Sequence, residues 1–169
     1  MTKYLLALTL FFLACIHPTP GNAKDRMGFL SFSLGMYNTL DRPKMLNTRL
    51  EYRPESIVFF KKLKPWAGLE LNSELSLWAG AGMLADFDLG RHFILTPSFG
   101  AGYYARGRSR HDLSFPLEFR SQLELAYQFK NRSRLALAFS HTSNASLGRP
   151  NPGEEVLSLY YHVPFGLLF

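Results

Sequence analysis

The segment His141-Thr142-Ser143 places an imidazole and a hydroxyl two residues apart, and the carboxylate of Glu155 follows twelve residues after the serine. A serine hydroxyl is a weak nucleophile at its own pKa. A neighbouring imidazole can take its proton, and a carboxylate on the other ring nitrogen fixes the tautomer and stabilises the charged ring. The three types together would serve acyl transfer, with Ser143 as nucleophile, His141 as base and Glu155 as orienting acid. Two residues apart on an extended strand share a face, with Cα atoms about 6.5–7 Å apart. Rotamers that lean toward each other close that gap. The chemistry therefore rests on which segments are strands and where their faces point.

Period-two alternation runs through most of the chain. From Leu117 to Phe129 one parity holds Leu117, Phe119, Leu123, Leu125, Tyr127 and Phe129 together with Ser121, and the other holds Glu118, Arg120, Gln122, Glu124, Ala126 and Gln128. Successive strand side chains point to opposite faces, so this strand has one apolar and one charged side. Similar segments run over 30–36, 49–60, 67–77, 83–89, 93–103, 134–143 and 155–169, which makes about eight strands. Short basic turns (Lys61–Pro65, Gly90–His92, Lys130–Ser133) alternate with longer polar connections (Asn38–Asn47, Arg106–Pro116, Asn144–Glu154), and a third-to-fourth connection is expected near Ala79–Gly82. Pro97 is awkward within a strand because it removes a ladder donor. On the seventh strand His141 and Ser143 continue the apolar parity of Leu135, Leu137 and Phe139. On the eighth, Glu155 continues that of Leu157, Leu159, Tyr161 and Val163, while Glu154 points the other way. A hairpin would bring the three polar groups together at one rim. The bland alternative is that they merely begin a polar loop.

The chain has 169 residues, 47% hydrophobic and 15% aromatic, a content that excludes a disordered chain. Residues 1–23 read as a secretory signal peptide: Lys3, an apolar run from Tyr4 to Ile16, and the small-x-small site Gly21-Asn22-Ala23. Residues 24–169 then form a single domain, and cleavage removes the lone Cys15; a lipoprotein site at Cys15 is the competing reading. No disulfide framework or Cys-rich metal site is expected. A secreted chain is a poor partner for nucleic acid, so the net charge of +6 is better explained by anionic lipid. No apolar run in the mature chain is long enough for a transmembrane helix.

Alternation alone also fits a soluble, lipocalin-type barrel with its apolar side inward. The absence of cysteine staples, the alternating loop lengths and a last amphipathic strand ending in Phe169, which is similar to the assembly signal of bacterial outer-membrane proteins, favour the inverted arrangement. The expected fold is all-β, an eight-stranded antiparallel up-and-down transmembrane β-barrel, closed so that no strand edge meets lipid. Such a barrel is too narrow for a channel. Glu70, Glu74, Asp86, Asp88, Glu118, Arg120 and Glu124, with Arg49, Glu51 and Arg53, would fill the lumen as a paired interior. Trp66, Tyr104, Tyr160 and Phe165 would suit the interfacial girdles.

The residues His141-Thr142-Ser143-Asn144-Ala145, Pro150-Asn151-x-Gly153-x-Glu155, Ser158-Leu159-Tyr160-Tyr161 and Val163-Pro164 resemble the C-terminal pattern of the lipid A 3-O-deacylase (PagL) family. The resemblance covers about 25 residues in detail; the rest agrees in length, strand count and the Gly-rich segment 100–104. It implies an outer-membrane serine esterase that removes the 3-O-linked hydroxyacyl chain of lipid A. In this chain His141 would be the base, Ser143 the nucleophile and Glu155 the orienting acid. It further implies that Asn151 helps stabilise the oxyanion, with Asn144 and backbone N–H groups near Ala145 as further donors. Arg149 could meet a substrate phosphate. Lipopolysaccharide and outer-membrane lipids are the implied partners; no cofactor or metal is implied, and a homodimer is compatible. The alternatives are a non-catalytic barrel acting as an adhesin and a phospholipase-type esterase.

Overall fold

A computed structural model describes residues 28–56 and 62–168. The signal peptide, Cys15, Lys61 and Phe169 lie outside the described residues. Nine strand segments follow one another: β1 (Phe29–Tyr37), β2 (Met45–Arg53), β3 (Leu63–Asn72), β4 (Leu77–Ala85), β5 (Phe87–Gly90), β6 (Phe93–Ala105), β7 (Leu117–Gln128), β8 (Arg134–Ser143) and β9 (Glu154–Pro164). Each pairs antiparallel with its neighbours. β1 pairs with β9, and β6 pairs with β4 as well as with β5, so the sheet closes on itself.

β4 and β5 are two halves of one stave, and the barrel has eight. The register against β6 is constant across the break, from Met83↔Phe99 and Leu84↔Ser98 to Phe87↔Leu95 and Asp88↔Ile94. Pairing lapses where that register sets Ala85 against Pro97, the residue that lacks an N–H. Pro97 stays in β6 and keeps its place opposite Leu123 of β7.

The faces are inverted relative to a soluble barrel. Leu34, Leu46, Leu123 and Leu137 are each more than half exposed, whereas Arg49, Glu51, Glu70, Arg120 and Glu124 are almost fully buried. With the apolar rows outside, the staves can only face hydrocarbon, and a closed sheet leaves no unpaired backbone there.

The interior is a paired network. Glu51 accepts hydrogen bonds from Arg53, Arg120 and the Tyr160 hydroxyl. Arg49 pairs with Glu70 at 2.7 Å, and Arg53 reaches Glu124 at 2.9 Å. The Arg120 guanidinium lies 4.4 Å from the centre of the Trp66 ring and 4.7 Å from that of Trp78. Asp86, at the break between β4 and β5, takes Lys64, Arg134 and the Thr96 hydroxyl. Two expected lumen carboxylates are elsewhere. Glu74 sits in the tight turn between β3 and β4 and pairs with Arg110, which holds its pKa below the usual carboxylate value through side-chain and backbone hydrogen bonds. Asp88 is exposed and caps the backbone of Gly90.

The third-to-fourth connection is at residues 73–76, not Ala79–Gly82, and those glycines lie within β4. Their small size makes room for indoles. A Cβ on Gly80 would stand 2.3 Å from Trp78, one on Gly100 2.5 Å from Trp66, and one on Gly102 2.5 Å from Trp78. The turn expected at Lys61–Pro65 likewise gives way to strand from Leu63. Trp66, Tyr104 and Tyr160 consequently line the interior and not a girdle. The outer aromatics near the rim that carries the 91–92 and 129–133 turns are Tyr52, Phe93, Tyr127, Phe129 and Phe165, joined by edge-to-face contacts. The connections at 38–44, 73–76, 106–116 and 144–153 gather at the opposite rim.

Candidate active site

β8 and β9 carry the candidate residues to the rim formed by the longer loops. In the β8–β9 register His141 stands directly opposite Glu155. Both side chains are on the lipid-facing row, 46% and 24% exposed. His141 Nδ1 lies 2.9 Å from Glu155 Oε1. A carboxylate in this pair accepts, so Nδ1 carries the hydrogen, and in the neutral ring Nε2 then keeps the lone pair. That is the protonation a base needs. Glu154, the other member of the doublet, is buried in the lumen opposite Thr142.

Ser143 is two residues farther along the same row, half-buried, and opposite Phe119 of β7. No hydrogen bond joins its Oγ to His141 among the described residues. Residues two apart on a strand have Cα atoms about 6.5–7 Å apart, a gap that only rotamers leaning toward each other would close. A second hydroxyl escaped the sequence reading of the site. Ser121 of β7 is exposed on the lipid face and stands directly across from His141. Directly opposed residues bring their Cβ atoms to about 4.5–5.5 Å. The signal for it was its place as the one polar residue in the apolar parity of 117–129.

The 144–153 loop is braced from within. Asn151 Oδ1 accepts from the Asn144 backbone N–H at 3.0 Å, so the Asn151 amide has its NH2 free to donate. The Asn144 side chain is spent on the backbone, with Nδ2 donating to Pro150 O and Leu113 O and Oδ1 accepting from Gly148 N. Neither donor of Asn144 is left for a substrate, a departure from the sequence expectation that comes from the loop's need to satisfy its own buried groups. Ala145 and Ser146 both have positive φ, at 51° and 63°, and Leu147 N donates back to Asn144 O. These are the marks of a type I′ turn, costly for residues with a Cβ. Among the described residues no hydrogen bond is made by the backbone N–H groups of Ala145 and Ser146. Arg149 is exposed and enters no ion pair among the described residues.

Gly153 is the other residue without an assigned role in the sequence reading. It is buried at φ +65°, and a Cβ there would stand 2.9 Å from His141 Cε1. Its backbone therefore lies against the imidazole edge that Glu155 does not hold. Beyond Glu155 and His141, the same outer rows offer an apolar bed, with Phe139 opposite Leu157 and Leu137 opposite Leu159.

The family model for lipid A 3-O-deacylase (PagL) matches residues 57–164. The chain belongs to the lipid A 3-O-deacylase family. Among solved structures it is similar to the outer-membrane enzyme PagL, at 20% identity and a TM-score of 0.62, covering 81% of this chain and 99% of that one. It is also similar to Neisserial surface protein A (13% identity, TM-score 0.54, 81% and 96% covered) and to a de novo designed transmembrane β-barrel (9%, 0.53, 82% and 98%). At these identities the likenesses show the fold. No match was found among curated proteins. Family and fold together make this an outer-membrane β-barrel of a lipid A-deacylating family.

Proposed function

We propose that the chain is a serine esterase that hydrolyses the 3-O-linked 3-hydroxyacyl chain of lipid A in the outer leaflet of the outer membrane. The observation that carries this reading is the Glu155–His141 hydrogen bond on the lipid-facing row, with Ser143 on the same row. Polar groups facing hydrocarbon are costly, and their concentration at one place favours function over chance.

In the proposed reaction Ser143 Oγ attacks the ester carbonyl as its proton passes to His141 Nε2. Glu155 holds the ring and stabilises the imidazolium. Asn151 Nδ2 and the backbone N–H groups at Ala145–Ser146 stabilise the oxyanion. The glucosamine hydroxyl leaves with the proton from His141, and water, activated by the same imidazole, then releases the hydroxy acid from Ser143. The acyl chain would lie along Leu137, Phe139, Leu157 and Leu159, with Arg149 toward a phosphate. A substrate already in the membrane reaches this site by lateral diffusion, with no channel needed.

Mass spectrometry of lipid A from cells with and without the chain tests the reading. The expected result is loss of one ester-linked hydroxyacyl mass. Unchanged lipid A together with newly formed lysophospholipid would favour the phospholipase alternative, and no change in either lipid would leave a non-catalytic barrel.

A further inference from the structure

The 106–116 loop reaches across the barrel mouth to the segment that seats the imidazole. His111 Nε2 lies 2.7 Å from the carbonyl oxygen of Gly153. A carbonyl only accepts, so Nε2 must carry the hydrogen. The His111 ring is itself held. Tyr37 stands edge-on to it at 6.0 Å, and the Tyr104 hydroxyl donates to the His111 carbonyl at 3.2 Å.

Gly153 transmits this contact. Its backbone is packed against the Cε1 edge of His141, with no room there for a methyl group. Two residues on, Glu155 holds Nδ1 of the same ring. The height of the 153–155 segment therefore sets the tilt of the imidazole, and the outward contact that fixes the height at Gly153 comes from His111. Further ties between the two loops are spaced away from the imidazole, from Ser114 Oγ to Pro150 O and from Asn144 Nδ2 to Leu113 O.

We infer that His111 is a positioning residue for the His141 base, acting through the Gly153 carbonyl. The inference rests on the esterase reading for its effect on turnover, but not for its effect on the ring. A misplacement of about 1 Å at a reacting group costs on the order of 100-fold in rate. Loss of one hydrogen bond that permits a smaller tilt should cost about tenfold in kcat.

The test uses the purified full chain in detergent micelles, labelled with 15N-histidine, as the parent, His111→Phe and His111→Gln. Phenylalanine keeps a ring against Tyr37 without a donor, and glutamine restores an N–H donor at the corresponding reach. The expected result is a roughly tenfold drop in kcat for His111→Phe, with KM for lipid A unchanged. The His141 imidazole 15N shifts should move in His111→Phe, and both readouts should return toward the parent in His111→Gln. Unchanged His141 shifts in His111→Phe, or a glutamine variant no better than phenylalanine, would overturn the inference. A parent that releases no hydroxy acid would overturn the esterase reading alone, because the imidazole shifts still decide the positioning role.

Discussion

Ser143→Ala and His141→Ala should each reduce hydroxyacyl release by at least about three orders of magnitude under the proposed mechanism, because the members of such a triad act as a unit and it fails when any one is removed. Both variants should still migrate as folded, heat-modifiable barrels. The His141 side chain is about half exposed, and the Ser143 hydroxyl makes no hydrogen bond among the described residues, so neither deletion opens the interior. Ser121→Ala is the informative companion. Its hydroxyl is directly across the sheet from His141 and competes with Ser143 on proximity alone. With Ser143 as nucleophile, Ser121→Ala stays within a few-fold of the parent in a quantitative assay of released hydroxy acid. The reverse pattern, with Ser143→Ala active and Ser121→Ala inert, would move the nucleophile one strand over.

Glu51→Gln produces the largest expected loss of stability. Glu51 takes hydrogen bonds from two guanidinium groups and the Tyr160 hydroxyl, and it is 1% exposed. Glutamine keeps the volume but removes the charge, leaving Arg53 and Arg120 short of an acceptor inside a closed barrel. Breaking a buried pair from one side costs about 3–5 kcal/mol. At about 1–3 kcal/mol per molar urea, the unfolding midpoint in micelles should fall by at least about 1 M. Tyr160→Phe removes one hydroxyl from the same network and should cost only about 1 kcal/mol. Trp66 and Trp78, stacked around Arg120, make their fluorescence a natural probe of the transition. Equal midpoints for Glu51→Gln and Tyr160→Phe would mean that charge pairing is not what organises the lumen.

Much of this molecule was legible in its alternation. The parity of 117–129 assigns Glu118, Arg120 and Glu124 to one side and the leucines to the other, and the structure places the charged side inward. The same parity set His141 and Glu155 on a common row, where they prove to be direct partners. What alternation cannot see is tertiary shape. Glycines at 80 and 82 read as a turn because glycine is rare in strands, yet here they clear space for Trp78 and the chain opposite. Trp66, Tyr104 and Tyr160 read as membrane anchors because a large aromatic fits a girdle or an interior equally well. Asp86 kept its lumen place, whereas Glu74 fell in a turn once the third connection moved. The loop contacts were invisible for a different reason. His111, Gly153 and the Asn144–Asn151 bond join segments with no shared period, so only their meeting in space shows what they hold.

The most direct test of the central claim is covalent trapping of the nucleophile. The purified protein in micelles, treated with a lipophilic fluorophosphonate and digested, should give a single adduct on the peptide carrying Ser143. That adduct should be absent after His141→Ala. An adduct on another serine, or none while lipid A is still being deacylated, would contradict the account.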